Sequence, residues 1–196
     1  GFETTYEYDD GNRKVKETNP LGDEMLYSYD NEKSILTETD YAGRVTTAIY
    51  DKRYLKVQQT NAIDGVEKWV YDGRGNATEY IDQEGRVTQY KYDRQNRMVS
   101  EKDALGYLTQ AEYDDNDNQI KLTDRRGNTT LNAYDAINRV KQTTDADGFV
   151  WKHEYDANSN QTLAVDGNGH SSSYAYDDLN RLVEETTPVS GQITYS

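Results

Sequence analysis

Polar residues alternate with aromatic or β-branched ones along Thr88-Gln89-Tyr90-Lys91-Tyr92, the period-2 signature of a half-buried strand. The next residues, Asp93-Arg94-Gln95-Asn96-Arg97, predict a tight turn. An Asp side chain can bond the backbone two residues on, and Asn tolerates the left-handed conformation. A second strand is predicted over Arg97-Met98-Val99-Ser100-Glu101-Lys102. A second turn follows at Asp103-Ala104-Leu105-Gly106, with Gly supplying the positive φ.

This strand-turn-strand-turn unit recurs along the whole chain. Tyr-Asp stands at Tyr8, Tyr29, Tyr50, Tyr71, Tyr92, Tyr113, Tyr134, Tyr155 and Tyr176, each followed by Asp, and every interval is 21 residues. Eleven residues after each Tyr comes Asn19, Asp40, Asn61, Asp82, Asp103, Asp124, Asp145 or Asp166, with Thr187 in the last copy. Three further on stands Gly22, Gly43, Gly85, Gly106, Gly127, Gly148 or Gly169. Gly1 falls in the same slot, and the exceptions, Asp64 and Ser190, are each followed by Gly (Gly65, Gly191). Asn12, Gly75, Asp117, Asn138 and Asn180 share the slot of Asn96. The seventh residue after Tyr is an apolar anchor in Val15, Leu36, Val57, Val99, Ile120 and Val183.

The expected fold is therefore all-β, an antiparallel meander of two-stranded hairpins with a 21-residue period. Residues 1–196 form a single array of about nine copies, with no linker or second domain. Eighteen strands at ~4.8 Å would make a strip of about 85 Å. Because sheets twist, it is expected to coil or curve. Equivalent tyrosines would lie about 10 Å apart, two strand spacings. With the aromatics two residues earlier (Tyr6, Tyr27, Trp69, Tyr90, Tyr174) they would build an aromatic–aliphatic band. Neither end looks capped, which predicts further repeats, or identical chains, at both sheet edges. The first residues carry no signal pattern, so the chain reads as mature or as cut from something longer.

Composition agrees with an architecture that lacks a thick core. Only 34% of residues are hydrophobic, and 18 residues are Tyr, which carries a hydroxyl. The net charge of −14, from 36 acidic and 22 basic residues, disfavours nucleic acid and anionic membranes as partners. No apolar run approaches the ~20 residues of a membrane span, so no membrane insertion is expected. With no cysteine there is neither a disulfide framework nor a thiolate metal site.

Tyr92-Asp93-Arg94-Gln95-Asn96-Arg97-Met98-Val99, followed by Asp103-Ala104-Leu105-Gly106, resembles the YD repeat of the Rhs and teneurin families. Tyr176-Asp177-Asp178-Leu179-Asn180-Arg181-Leu182-Val183 is a second close copy, and the resemblance covers the whole chain. It implies a sheet strip that spirals into a hollow shell or fibre, extracellular or at the cell surface. It also implies a structural rather than enzymatic role and, as partners, further repeats or an enclosed toxin domain. The Asp-Pro motifs of the Rhs autocleaving region have no counterpart beyond the turn Asn19-Pro20-Leu21-Gly22, and no toxin segment is present. Cleavage and toxicity are therefore not implied.

Other chemistries fit the residues less well. Carboxylates are abundant enough to suggest a hydrolytic pair, but each recurs in every copy, whereas catalysis needs one special place. Asp114-Asp115-Asn116-Asp117-Asn118 and Asp166-Gly167-Asn168-Gly169 are oxygen-rich like a Ca²⁺ loop, yet lack the spacing of an EF-hand. They read as turns, so no metal and no cofactor is expected. His153 and His170 have no partner visible in the sequence and read as surface residues. Asn76, Asn128 and Asn160 begin N-x-Thr sequons on turns or strand starts. The alternative function is a carbohydrate- or cell-wall-binding module, similar to choline- and glucan-binding repeats. There Trp69 and Trp151 would be the stacking platforms for a cell-surface glycan.

Overall fold

A computed structural model describes residues 3–188 and 191–195. Gly1 and Ser190, two positions of the repeat register, lie outside the described residues. Among the described residues there are nineteen strands and no helix. The chain divides into two compact units, Gly1–Arg97 with Lys102–Leu105, and Met98–Glu101 with Gly106–Ser196.

The strands of the first unit are β1 (Thr5–Tyr8), β2 (Lys14–Thr18), β3 (Glu24–Asp30), β4 (Ile35–Thr39), β5 (Val45–Tyr50), β6 (Lys56–Thr60), β7 (Val66–Tyr71), β8 (Ala77–Ile81) and β9 (Val87–Tyr92). From β1–β2 through β8–β9, successive strands pair antiparallel. Then come β10 (Met98–Lys102), β11 (Leu108–Tyr113), β12 (Gln119–Thr123), β13 (Thr129–Tyr134), β14 (Val140–Thr144), β15 (Val150–Tyr155), β16 (Gln161–Val165), β17 (Ser171–Tyr176), β18 (Leu182–Thr187) and β19 (Gly191–Thr194). From β11 to β19 the same antiparallel succession holds. The all-β meander of hairpins is thus as the sequence predicts. The extra strand, β19, opens the copy that would follow Tyr176, one more than nine complete repeats supply.

No described side chain is fully buried; Ala48, 7% exposed, and Ser100, 9% exposed, are the only residues below the surface. Along β9, β11 and β17 exposure alternates strictly, so one face of each is half-covered and the other open to water. Tyr, Thr and Val favour this setting because they fit a pleated, half-buried surface. Stability is therefore spread over ladders, turns and cross-strand pairs instead of being concentrated in a core.

Within a hairpin the register slips once. Glu112 faces Lys121 but Tyr113 faces Gln119, which leaves Ile120 as the extra residue of a β-bulge. The same slip recurs in the hairpins of Tyr8, Tyr50, Tyr71, Tyr134, Tyr155 and Tyr176. The apolar anchor positions Val15, Val57, Ile120 and Val183 are therefore bulge residues, half-covered but outside the regular ladder. The hairpin of Tyr29 departs from these: Tyr29 faces Leu36 and Asp30 faces Ile35 without a slip.

Candidate functional site

The repeated features of this chain are its turns and the links between neighbouring copies, and the sequence-predicted positions converge there. In the turn after Tyr113 the Asp114 amide donates to the Asn118 carbonyl, and the Asp117 amide donates back to the Asp114 carbonyl. Asp117 takes φ 67°. This is a type I turn closed by a left-handed residue, a common way to join strands by a three-residue loop. The carboxylate of Asp114 does the rest: its Oδ1 accepts from the amides of Asn116 and Asn118, both at 2.9 Å. The second turn repeats the chemistry. Asp124 Oδ1 accepts from Arg126 and Asn128, and Gly127 adopts φ 86°.

Eight of the nine slots equivalent to Asn96 carry positive φ, including Tyr54 and Ser159. In the unslipped hairpin Lys33 does not, and Ser34 takes the role at φ 56°. Gly22, Gly43, Gly85, Gly106, Gly127, Gly148 and Gly169 are all left-handed. At the exception Asp64 it is Asp64 itself, at φ 63°, that turns left, and not the Gly65 beside it.

The free oxygen of most turn aspartates recruits a side chain. Arg13, Arg97, Arg139 and Arg181 bond Asp9, Asp93, Asp135 and Asp177 through Nε, while Asn76, Asn118 and Asn160 donate to Asp72, Asp114 and Asp156. These bonds hold the carboxyls of Asp9, Asp72, Asp93, Asp135, Asp156 and Asp177 below the usual range. At Asp9 and Asp72 the side chains of Arg13 and Asn76 are the main cause. At Asp135 it is the Arg139 amide. At Asp93 desolvation pulls upward and is outweighed by the bonds from Arg97. Carboxylates so engaged are ionised acceptors that fix turns, not proton donors.

The same side chains reach into the following copy, a feature that sequence reasoning missed. Asn76, Asn118 and Asn160 donate to the side-chain oxygens of Asn96, Asn138 and Asn180 at 2.8–2.9 Å. Arg139 Nη1 reaches the Asp156 carbonyl, Arg53 Nη1 the Asp72 carbonyl, and Arg13 Nη1 the Asn31 side chain. Arg13 and Arg139 also lie over the rings of Tyr29 and Tyr155, at 4.5 and 4.6 Å from the centroids. One rim of the hairpins is thereby laced from copy to copy. The signal was present as an Asn five residues after one Tyr answered by an Asn four residues after the next.

The repeat tyrosines make the second link. Tyr29, Tyr71, Tyr113, Tyr134, Tyr155 and Tyr176 each donate a hydroxyl hydrogen bond to the carbonyl fifteen residues earlier, that of Lys14, Lys56, Met98, Gln119, Val140 and Gln161. These carbonyls sit beside the bulge, where the ladder to the next copy has run out. At six junctions, β2–β3, β6–β7, β8–β9, β12–β13, β14–β15 and β16–β17, that ladder is three residue pairs long. After the unslipped hairpin, β4 and β5 share five pairs, and the Tyr50 amide donates to the Ser34 carbonyl. Tyr50 and Tyr92 do not make the hydroxyl bond. For Tyr50 the completed ladder explains why.

The predicted stacking platforms are partly occupied. Lys56 Nζ lies 4.4 Å from the Trp69 ring centroid, and Tyr80 packs on Trp69 at 5.5 Å. Trp151 leans against Phe149 and against the turn glycine Gly167, whose missing Cβ makes room for the indole. His153 and His170 prove to have partners, Gln161 at 3.1 Å and Asp166 at 3.0 Å, both formed across hairpins or turns. The sequon amides of Asn76, Asn128 and Asn160 are all donors within turns. Among the described residues no group of three or more His, Cys, Asp or Glu could hold a metal ion.

No curated protein matches the chain. Its fold is similar to the crystal structures of TcdB2-TccC3 (12% identity over 100% of this chain and 18% of that one, TM-score 0.38) and of TcdB2-TccC3-Cdc42 (13%, 100% and 17%, 0.39). It is likewise similar to the Photorhabdus luminescens Tc holotoxin pore (13%, 98% and 17%, 0.36). The chain spans less than a fifth of the length of those structures. The RHS repeat model matches residues 71–108, 113–150, 134–171 and 155–192, more than half of the sequence. With its Tyr-Asp turns and 21-residue hairpins, the chain belongs to the RHS-repeat family.

Proposed function

We propose that this chain is a structural segment of an extracellular β-sheet wall, either a shell or a fibre, and that its nine copies act as one array. The observation that carries this reading is the pair of links that join most repeats to the next: the tyrosine hydroxyl bond, made at six junctions, and the laced turns. A sheet without a core gains its stability from neighbours, and stability of that kind grows by adding copies. The bulge in nearly every hairpin supports curvature, because bulges bend a strand and increase its local twist. The occupants of the sheet edges are further repeats, and an enclosed toxin domain is the cargo of such a wall. No catalytic step is assigned to it.

Electron microscopy of the native particle that carries this segment tests the reading. A curved single-layer wall with strands spaced by ~4.8 Å along its length is expected. A segment folded back into a separate globule would overturn it.

A further inference from the structure

One place in the first unit breaks the pattern of the repeat, and three departures coincide there. The hairpin of Tyr29 lacks the bulge, the lacing of the rim has no hydrogen bond between the turn at Asp30–Ser34 and the turn at Asp51–Leu55 among the described residues, and Tyr50 keeps its hydroxyl unbonded. Between these turns opens a depression of about 550 Å³, walled by Tyr29, Leu36, Tyr50 and Tyr54 and lined also by Lys52 and by the ion-paired Arg13, Asp30 and Asp51. Tyr54 occupies the left-handed slot that other copies give to Asn, Asp, Ser or Gly, at φ 63°, and is 87% exposed. A bulky residue held at positive φ is an outlier of the sort that marks ligand clamps.

The other rim of the same unit carries apolar turn tips. Ile63 is 84% exposed, as are Leu21 (81%) and Leu105 (80%) in the equivalent slots, and of these Ile63 alone is followed by an acidic residue in place of Gly. Beside Ile63 stands Asp64, whose carboxylate has no ion pair among the described residues, as Lys52 has none beside the depression. Tip and depression lie on opposite rims, separated by the length of a strand, roughly 17–20 Å, so a molecule cannot fill its own depression.

We infer that the Ile63 turn of a second copy of this chain docks in the Tyr29/Leu36/Tyr50/Tyr54 depression, with its Asp64 against Lys52 and the Tyr54 ring closing over the guest. A surface knob matched to a pocket elsewhere on the same molecule makes a head-to-tail contact that need not close, so association continues past the dimer. A single tip covers less than the ~1,000 Å² of a lasting interface, so each joint is weak and shows itself at high protein concentration. The inference stands whatever the strip belongs to, and so goes beyond the role proposed above.

Sedimentation velocity on the full chain at physiological ionic strength, over a concentration series, tests it. Wild type is expected to show a sedimentation coefficient that keeps rising with concentration. Ile63→Asp removes the knob, and Lys52→Glu with Tyr54→Ala removes the clamp. All three positions are exposed turn residues, and circular dichroism checks that each variant keeps its strands. Each variant alone is expected to stay monomeric, whereas an equimolar mixture, which retains one intact knob and one intact depression, is expected to form a 1:1 dimer and stop. Wild type that stays monomeric to millimolar concentration overturns the inference. So does association that survives in either variant, as pairing through strands β1 and β19 would, or a mixture that fails to dimerise.

Discussion

The hydroxyl of Tyr71 donates to the carbonyl of Lys56 at 2.8 Å, where the backbone ladder between β6 and β7 has stopped after three pairs. A side chain here completes what the bulge at Val57 removes from the backbone. Tyr50, next to an uninterrupted ladder, has no such task. Tyr71→Phe should therefore destabilise the first unit by about 0.5–1.5 kcal/mol, the net value of one hydrogen bond, and Tyr50→Phe should leave it nearly unchanged. Urea unfolding of both variants checks the contrast, and equal losses would show that the hydroxyl bond is not the cause.

Glycine substitutions should divide by backbone conformation. Gly85 sits at φ 77° and Gly73 does not take a positive φ, while an added Cβ would meet nothing at either position. Gly85→Ala is expected to cost about 1–2 kcal/mol from left-handed strain alone. Gly73→Ala should be neutral or stabilising by about 0.4–1 kcal/mol, through the unfolded chain. Thermal melts of the two variants provide the comparison.

Acid should loosen the turns before anything else. Twelve turn aspartates have carboxyls held below their ordinary value. A depressed folded-state pKa means that the unfolded chain binds protons more readily. Stability is then fully present above the unfolded value of about 4 and is lost as pH falls below it. Far-UV circular dichroism from pH 7 to pH 2 should show a plateau down to about pH 4 and unfolding beneath. Unfolding already complete well above about pH 4 would show that the turn carboxylates are not the cause.

Tyr54 offers a stability gain. Tyr54→Asn places a residue suited to φ 63° in that slot and should raise stability by about 1 kcal/mol. Denaturant titration measures it. A loss would mean that the exposed ring makes a contact in the isolated chain.

A fragment of one or two repeats should be disordered, because each hairpin borrows its packing surface from its neighbours. Dispersed amide signals from a two-repeat peptide would contradict this.

The sequence revealed those features in which a single residue type answers a single demand. Positive φ asks for Gly or Asn, so Gly127 and Asn96 marked their turns, and the Tyr period set the hairpin spacing. The bulge stayed hidden because Ile120 as an extra residue looks like Ile120 in register: the apolar type is the same and only the pairing differs. The hydroxyl bond of Tyr134 was invisible for a related reason. Its acceptor is the Gln119 backbone, and every residue has a carbonyl. The bond between Asn76 and Asn96 spans twenty positions, and its meaning emerges once the turns of successive hairpins are known to sit side by side. At Lys33 the positional rule failed, because a hairpin without the slip moves the left-handed residue to Ser34.

The hydroxyl links of the repeat tyrosines all reach back by fifteen residues, and the rim contacts stop at the adjoining turn. Excising or duplicating a whole 21-residue unit would therefore leave the remaining bonds with equivalent mates, whereas losing a single residue would misalign everything downstream. Genes encoding such chains can lengthen or shorten in quanta, and the unbroken spacing of this one is what that rule of inheritance would leave behind.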